Sequence, residues 1–532
     1  FRTCAFRRNF GAMLENKNSL PLYFAAVLIL GLVLGYRMSS GGSSAKFVKS
    51  KSKFNQLISS LERNYVDQIN LDSIVELSMY EVMSNLDPHS VYIDSEDMKA
   101  VKEDMQGEFD GIGVEYTILD DSIMIIHVLE NGPADQAGME DGDRILRVDS
   151  QQVSGVELKD ADKTKGIKGE KGSLVTIEVL RAGKSISFDI SRGSIPNNSV
   201  DLAYMINDSV GYLKLNRFSG KTEKELSKAF QKLNKQHPTS ILVDLRDNPG
   251  GYLSAAIDLL DYFMEKGTLL VTSKGKNRPD KRFESDGNGM FRKTKLALLI
   301  NENSASASEV VAGAVQDNDR GLLVGQRTFG KGLIQEEYQF ADGSTSRITT
   351  SRYYTPSGRS IQRPYTFGQQ SYDYYTQDLD SLHASDSITF FTTSGRKVFG
   401  GGGILPDVLV EDTLPELSYR MSELLFYAAQ TFSFRYVDAR RDEFKQISVD
   451  EFLNQFNFKS VLEELIVAEA KANDLKKIKF DFDDQELVDY FELRLKQFIV
   501  QKGWSRKAAL QLQNQSDLVI QTTLKQLENE TY

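Results

Sequence analysis

Between Asn301 and Gln335 the chain reads NENSASASEVVAGAVQDNDRGLLVGQRTFGKGLIQ: three serines alternate with alanines, and a lysine, Lys331, follows between two glycines. Two readings fit the serines. Ser306, Ala307, Ser308 and Glu309 match S-x-x-E ahead of an apolar run, a capping box that needs no further role. The same serines are also placed for nucleophilic attack. At a helix N-terminus the free N–H groups and the dipole favour the anion that forms as a hydroxyl adds to a carbonyl. The residues alone do not choose among Ser304, Ser306 and Ser308.

A serine nucleophile needs a base. The four histidines are His89, His127, His237 and His383. His89 falls in a helix-ending turn, His127 in a strand, His237 before Pro238 and His383 in a polar tract, and none sits in a catalytic frame. No G-x-S-x-G elbow occurs. Lysine is the other choice. A base poised near pH 7 needs a shift of about three units from the ordinary lysine value, roughly 4–5 kcal/mol, which burial in an apolar site can supply. Lys331 has Phe329, Leu333 and Ile334 beside it and glycines that let the backbone pack closely. A solvated surface lysine is the plain alternative. GQRTFGKG also matches the G-x-x-x-x-G-K part of a phosphate-binding loop, but Gly332 stands where a Ser or Thr is required, and LIQEEYQF alternates like a strand where a helix must begin.

Two glycine-bearing stretches could present backbone N–H groups. In ILVDLRDNPGGYL (241–253), Pro249-Gly250-Gly251 follows a buried strand and precedes a helix, the edge where open α/β sheets place ligands. Gly111-Ile112-Gly113-Val114 opens another strand, and a loop there could hold a terminal carboxylate while a peptide adds alongside.

The elements that must position these groups follow from periodicity. Residues 47–105 place apolar residues three and four apart, as helices do. From Gly107 the period becomes two: GIGVEYTI, SIMIIHVL, DRILRVDS, VTIEVLRAG and SISFDISRG predict five short strands, with a short helix in NGPADQAGMEDGD and another near 157–168. From 195 strands and helices alternate, which predicts an α/β layer with partly parallel pairing. The polar, aromatic tract 366–395 reads as an insertion loop, and GGGILPD (401–407) as a closing turn. After 411 the chain is mostly helical, a packing or oligomerisation region.

Bulk properties narrow the classes. With 532 residues the chain holds roughly three or four domains. A net charge of −11 argues against a general nucleic-acid binder. Cys4 is the one cysteine, which excludes a disulfide framework and a cysteine zinc site. No HExxH or Cys/His cluster occurs, so neither metal nor cofactor is expected. Leu20 to Tyr36 is apolar and uncharged, about 26 Å as a helix against a hydrocarbon core of roughly 30 Å. Arg2, Arg7, Arg8 and Lys17 precede it and favour a cytoplasmic N-terminus, although Lys46, Lys49, Lys51 and Lys53 follow. An uncleaved anchor is preferred to a signal peptide, because the small residues Ser43 and Ala45 lie well beyond the apolar run. Met13 reads as a natural start, so residues 1–12 are expected to be an artefact of gene-start choice.

Together these residues resemble a known family. GEFDGIGVEY, NGPADQAGMEDGDRILRVDS and VTIEVLRAG are similar to a PDZ domain. LDPHS, LRDNPGG, NSASASEVVAGAVQD, GQRTFGKGLIQ and GGGILPDV resemble the carboxyl-terminal processing proteases, serine peptidases of family S41 with a Ser/Lys dyad. The likeness runs from about 50 to 411.

The resemblance implies Ser306 as nucleophile, Lys331 as base 25 residues later, and Gln335 as the residue that orients the lysine. It implies an oxyanion hole from the N–H of Ala307 and one of Gly250 or Gly251, and a carboxylate loop at Ile112, Gly113 and Val114. The implied fold class is multidomain α+β: a PDZ domain (106–192) before an α/β protease core (195–411) of crotonase/ClpP-like ββα spiral type. An N-terminal segment (1–19), a membrane anchor (20–37) and a helical domain (47–105) come first, and a helical extension (412–532) lies outside the shared core. The expected activity is cleavage of proteins near exposed C-terminal tails, on the extracytoplasmic (periplasmic) side of an inner membrane, in a chain that could self-associate through its helical regions. The alternative is an inactive PDZ scaffold that binds tails without cutting them. A trypsin-like PDZ protease fits less well, since it needs a catalytic histidine.

Overall fold

The computed structural model describes residues 25, 27–31, 45–119, 121–156, 158–365, 388–411, 419–472 and 483–529. Most of the apolar run 20–36 and of the insertion tract 366–395 lies outside them. Among the described residues no helix is long and apolar enough to cross a membrane. The chain divides into two compact units, 1–81 and 82–532. The first holds helix α1 (Ala45–Asn64) and most of α2 (Leu71–Ser84).

The second unit begins with strand β1 (Val91–Ile93) and helix α3 (Ser95–Gln106). Asp94 caps α3 by accepting from the N–H of Glu96 and Asp97, and Gly107 ends it at φ 74°. A β-domain follows. Strands β2 (Glu108–Gly111) and β9 (Gly193–Pro196) pair antiparallel and close its base. Between them run β3 (Val114–Leu119), β4 (Ser122–Val128), β5 (Arg144–Val148), β6 (Gln151–Gln152), β7 (Leu174–Arg181) and β8 (Lys184–Ser191). The sheet order is β3-β4-β5-β7-β8 with β6 on β5, so the five expected strands form in place and β3 is an edge. Helices α4 (Pro133–Ala137) and α5 (Asp160–Thr164) complete the domain, around buried Ile123, Ile125, Ile145, Ile177 and Val179.

The α/β core is built on a six-stranded sheet ordered β10-β11-β12-β15-β16-β21: β10 (Val200–Met205), β11 (Val210–Leu215), β12 (Ser240–Asp244), β15 (Lys295–Ile300), β16 (Leu322–Gly325) and β21 (Val408–Leu409). All neighbours pair parallel except β10 with β11. Strands such as SILVD are buried along their whole length, as expected where both faces are covered.

One face, carrying Ile241, Val243, Leu296 and Leu298, packs on α6 (Thr222–Asn234), α7 (Leu253–Asp261) and α8 (Ala307–Asp317). The opposite face, with Leu242, Ala297 and Leu299, packs on Val519, Ile520 and Leu527 of the chain's last helix. Each such valine, leucine or isoleucine side chain contributes about 1.5–3 kcal/mol on burial. Every residue of α8 is buried, so this helix has no solvent face.

A second core sheet holds β13 (Leu269–Gly275), β14 (Arg278–Glu284), β17 (Leu333–Gln339) and β18 (Thr345–Tyr354), with β1 antiparallel on β18. The strand expected after Lys331 is thus present as β17. A hairpin of β19 (Thr389–Phe391) and β20 (Lys397–Phe399) falls at the end of the tract read as loop.

The helical extension comprises α9 (Tyr419–Asp438), α10 (Arg441–Phe444), α11 (Val449–Gln455), α12 (Phe458–Ala472), α13 (Gln485–Gly503), α14 (Arg506–Ser516) and α15 (Leu518–Glu528). Helices α9 to α13 enclose an aromatic cluster that includes Phe444, Phe452, Phe458 and Trp504. This extension braces both domains. Arg246, beyond β12, pairs with Asp517 at the α15 cap at 2.8 Å, and Arg144 of β5 with Asp438 of α9 at 3.2 Å.

Candidate active site

The structure separates the three serines. Ser304 and Ser308 are fully buried, and their hydroxyls donate to the carbonyls of Leu245 and Asn248 at 2.8 and 2.9 Å. Ser306 alone lines a cleft of about 930 Å³, together with Ala307, Gly250, Gly251, Lys331 and Gln335. It is the residue before α8, at φ 55° and ψ −111°, a conformation that costs of order 1–3 kcal/mol for a side-chain-bearing residue. The capping-box residues are both in place. Glu309 reaches back to the Ser306 N–H at 2.9 Å.

The loop after β12 is fixed by Asn248. Its side chain donates to the Leu215 carbonyl at 2.8 Å and accepts from the Gly250 N–H at 2.9 Å, and its carbonyl accepts from the Ala305 N–H at 3.0 Å. The Gly250 N–H is therefore occupied. The N–H groups of Gly251 and Ala307 have no hydrogen-bond partner among the described residues. Of the two glycines considered for an anion site, Gly251 is the one left available. Both need to be glycine. At φ 101° and 138° neither suits a side chain; a Cβ on Gly250 would lie 2.8 Å from Ser306 Cβ, and one on Gly251 would strike the Phe218 carbonyl.

Lys331 lies between Gly330 and β17, and its amine is held below the usual lysine value. Burial is the main cause and the Arg347 guanidinium adds to it; Glu309 and Asp87 oppose. The carboxyl of Glu309 is fully buried. Oε1 accepts from Thr328 Oγ1 at 2.6 Å and the Gly330 N–H at 2.7 Å, and Oε2 from the N–H groups of Lys331 at 2.8 Å and Ser306 at 2.9 Å. Burial pushes this carboxyl up to about 7 while the four donors pull it down. One side chain thus ties the Ser306 backbone to the Lys331 backbone.

A second tie is the Tyr353 hydroxyl, which sits 2.6 Å from the Lys331 carbonyl and 3.2 Å from that of Ser306. Sequence reasoning saw Glu309 only as a helix cap, and Tyr353 carried no signal. Gln335 lies on β17, and its Nε2 donates to Thr349 Oγ1 of β18 at 3.1 Å.

In the β-domain, Ile112 and Gly113 form the loop into β3. Their carbonyls accept from the N–H groups of Ala134 and Leu129 at 2.8 and 2.9 Å, and their own N–H groups have no partner among the described residues. Val114 follows as the first residue of β3 and pairs with Val128.

Known proteins resemble this chain over its β-domain and its α/β core. A family model for Peptidase family S41 matches residues 209–370, and one for the PDZ domain matches 111–191. A carboxy-terminal-processing protease of Bartonella bacilliformis is 31% identical over 403 residues, which cover 74% of this chain and 83% of that protein. The carboxy-terminal processing protease CtpA of Bacillus subtilis is 31% identical over 333 residues, 62% of this chain and 70% of that protein. Among solved structures, a photosystem II D1 C-terminal processing protease is 25% identical, covering 68% of this chain and 88% of its own, with a TM-score of 0.36. The chain belongs to the carboxyl-terminal processing proteases, PDZ-containing serine peptidases of family S41.

Proposed function

We propose that this protein cleaves polypeptides near their C-terminal tails, with Ser306 as nucleophile and Lys331 as general base. One observation carries the assignment. Of three neighbouring serines, only Ser306 has a hydroxyl that is not donated to a backbone carbonyl, and it shares a cleft with a lysine whose pKa burial lowers.

Neutral Lys331 takes the Ser306 proton as Oγ attacks the scissile carbonyl. The oxyanion is held by the N–H groups of Ala307 and Gly251, the first at the positive end of α8. Collapse of the tetrahedral species breaks the C–N bond, the lysine ammonium protonates the departing amine, and an acyl-enzyme remains. Water, deprotonated by Lys331, then releases the carboxylate and restores the serine. Gln335 orients the lysine amine.

The tail enters through the PDZ domain. Its carboxylate meets the unpartnered N–H groups of Ile112 and Gly113, and its backbone adds to the open edge of β3. The core takes the ββα spiral of the family. The apolar run 20–36 anchors the chain in an inner membrane with the catalytic parts outside the cytoplasm, and its helical regions offer surfaces for self-association.

The test compares wild type, Ser306→Ala and Lys331→Ala on a protein with an unfolded apolar C-terminal tail, free or amidated. Cleavage by wild type alone, weakened by amidation, is expected. Activity surviving either substitution would sink the dyad. Binding of the tail without cleavage in all three enzymes would point to a scaffold.

A further inference from the structure

Gln335 and Lys331 both line the cleft, and the Gln335 amide is tied to a chain of hydrogen bonds that leads away from it. Gln335 Nε2 donates to Thr349 Oγ1 at 3.1 Å, and Thr349 Oγ1 donates to Asp87 Oδ1 at 2.9 Å. Asp87 is 8% exposed and lies in the turn Leu86-Asp87-Pro88-His89-Ser90. Its Oδ1 also accepts from the N–H groups of His89 and Ser90, both at 3.1 Å, and its Oδ2 from Ser90 Oγ at 2.6 Å. Thr349 N–H in turn donates to Ser90 Oγ at 3.0 Å. Main chain and side chain of one β18 residue are thereby stitched to a turn about 260 residues earlier in the chain.

The polarity of this chain has one solution. A carboxylate only accepts, and each of these partners donates to Asp87. A threonine hydroxyl has a single proton; directed at Asp87, it leaves only lone pairs for the amide. Gln335 must then turn its NH2 toward Thr349 and its carbonyl Oε1 to the opposite side. The buried carboxylate, two hydrogen bonds away, decides which end of the amide is presented. A neutral lysine amine has two N–H bonds and one lone pair. An acceptor that holds one N–H directs the lone pair, whereas an amide turned the other way offers a donor that would bind the lone pair and take it from Ser306.

We propose that Asp87 and Thr349 are positioning residues of the peptidase site, locking the Gln335 amide so that its carbonyl faces Lys331 and the lysine lone pair is aimed at Ser306. The inference rests on the dyad reading given above. It assigns to the Leu86–Ser90 turn a part in the reaction beyond ending a helix.

The experiment measures kcat and KM on a fluorogenic peptide with a free apolar C-terminus. Wild type is compared with Gln335→Ala, Thr349→Val, Thr349→Ser, Asp87→Asn, the Gln335→Ala/Thr349→Val double variant and Lys331→Ala, each corrected for active enzyme by titration with a serine-directed acylating probe. Thr349→Val keeps the β-branched shape and removes the hydroxyl. It is expected to lower kcat by about 10- to 100-fold, the scale set by small misplacements of a reacting group, with KM little changed. Thr349→Ser restores the hydroxyl and most of the rate, and Asp87→Asn falls with Thr349→Val.

The double variant should be no slower than Gln335→Ala alone, because Thr349 acts through Gln335. Wild-type kcat in Thr349→Val, or losses that multiply in the double variant, would overturn the proposal. If Lys331→Ala also cleaves normally, the dyad itself has failed; if only Thr349→Val does, the positioning chain has.

Discussion

His89 and His127 are both largely buried, and the protein pushes them in opposite directions. Burial lowers His89 to about 4, with the Lys331 charge adding to the effect and Asp87 opposing it. Burial pulls His127 down as well, but its neighbours win and its pKa is raised. Nδ1 lies 3.1 Å from Asp141 Oδ2, and Nε2 lies 2.6 Å from the carbonyl of Gln501, on α13. Both partners accept, which suits a ring carrying two protons.

The two sites belong to regions with different electrostatic designs. The peptidase cleft discourages charge: Lys331 is held down and the buried Glu309 is pushed up. The seam between β-domain and helical extension keeps charge and pairs it. Asp141 is lowered against the pull of burial by His127, the Val128 N–H and Arg441, and Arg144 pairs with Asp438. Desolvation has the same sign at both histidines; the supply of acceptors decides the outcome.

The largest effect that could break this contrast is at Lys331. Lys331→Met should abolish cleavage, a loss of at least about 10³-fold by analogy with removal of other catalytic bases, without loss of stability in urea melts at pH 7. The sign follows from the lowered pKa. Between the folded value and 10.5 the unfolded chain binds more protons, so wild-type stability rises with pH through that window. The variant lacks that slope. A markedly less stable variant would mean that the cleft does not disfavour the ammonium.

Glu309→Gln comes next. An amide offers one oxygen where the carboxylate has two, so two of four buried donors lose their acceptor and face an NH2 group. A cost of about 2–4 kcal/mol in denaturant unfolding is expected, with kcat falling because Ser306 and Lys331 lose a shared tie. Unchanged stability would show that the carboxyl is not the hub its geometry makes it.

The smallest effects sharpen the histidine comparison itself. The folded His89 value lies below the ordinary histidine value of 6.5, so its contribution is present above that pH and is lost as pH falls toward 4. His89→Gln should flatten the acid side of a Tm-versus-pH curve. The folded His127 value is raised, so its contribution is complete below 6.5 and is lost as pH rises through the folded value. His127→Gln should lower stability by about 1 kcal/mol near pH 6 and by less at pH 9. Curves that bend the same way for both variants would contradict the assignment of causes.

Much of the fold is legible in the chain. Period-two runs mark the β-domain strands, alternation of strand and helix marks the core, and Gly332 together with the strand-like LIQEEYQF excludes a phosphate-binding loop. The helical extension is less legible. Its periodicity shows helices but not that α15 closes the second face of the central sheet, because Val519, Ile520 and Leu527 reveal their partners only in three dimensions. LDPHS reads locally as a helix-ending turn, since the groups that give Asp87 its further role lie on β18.

The sequence by itself determined which residue types were available for chemistry: a serine cluster before an apolar helix, one lysine among glycines and apolar neighbours, and glycine pairs where backbone must come close. These are local properties, written in periodicity, capping and turn preferences. Only the tertiary structure decided that Ser304 and Ser308 are spent on carbonyls while Ser306 is not, that Gly250 rather than Gly251 has its N–H occupied, and that two buried histidines titrate in opposite directions. Those outcomes depend on which donors and acceptors arrive from distant parts of the chain, as Gln501 does at His127 across 374 residues. Hydrogen-bond saturation and desolvation are properties of the packed interior, and no window of neighbouring residues contains them.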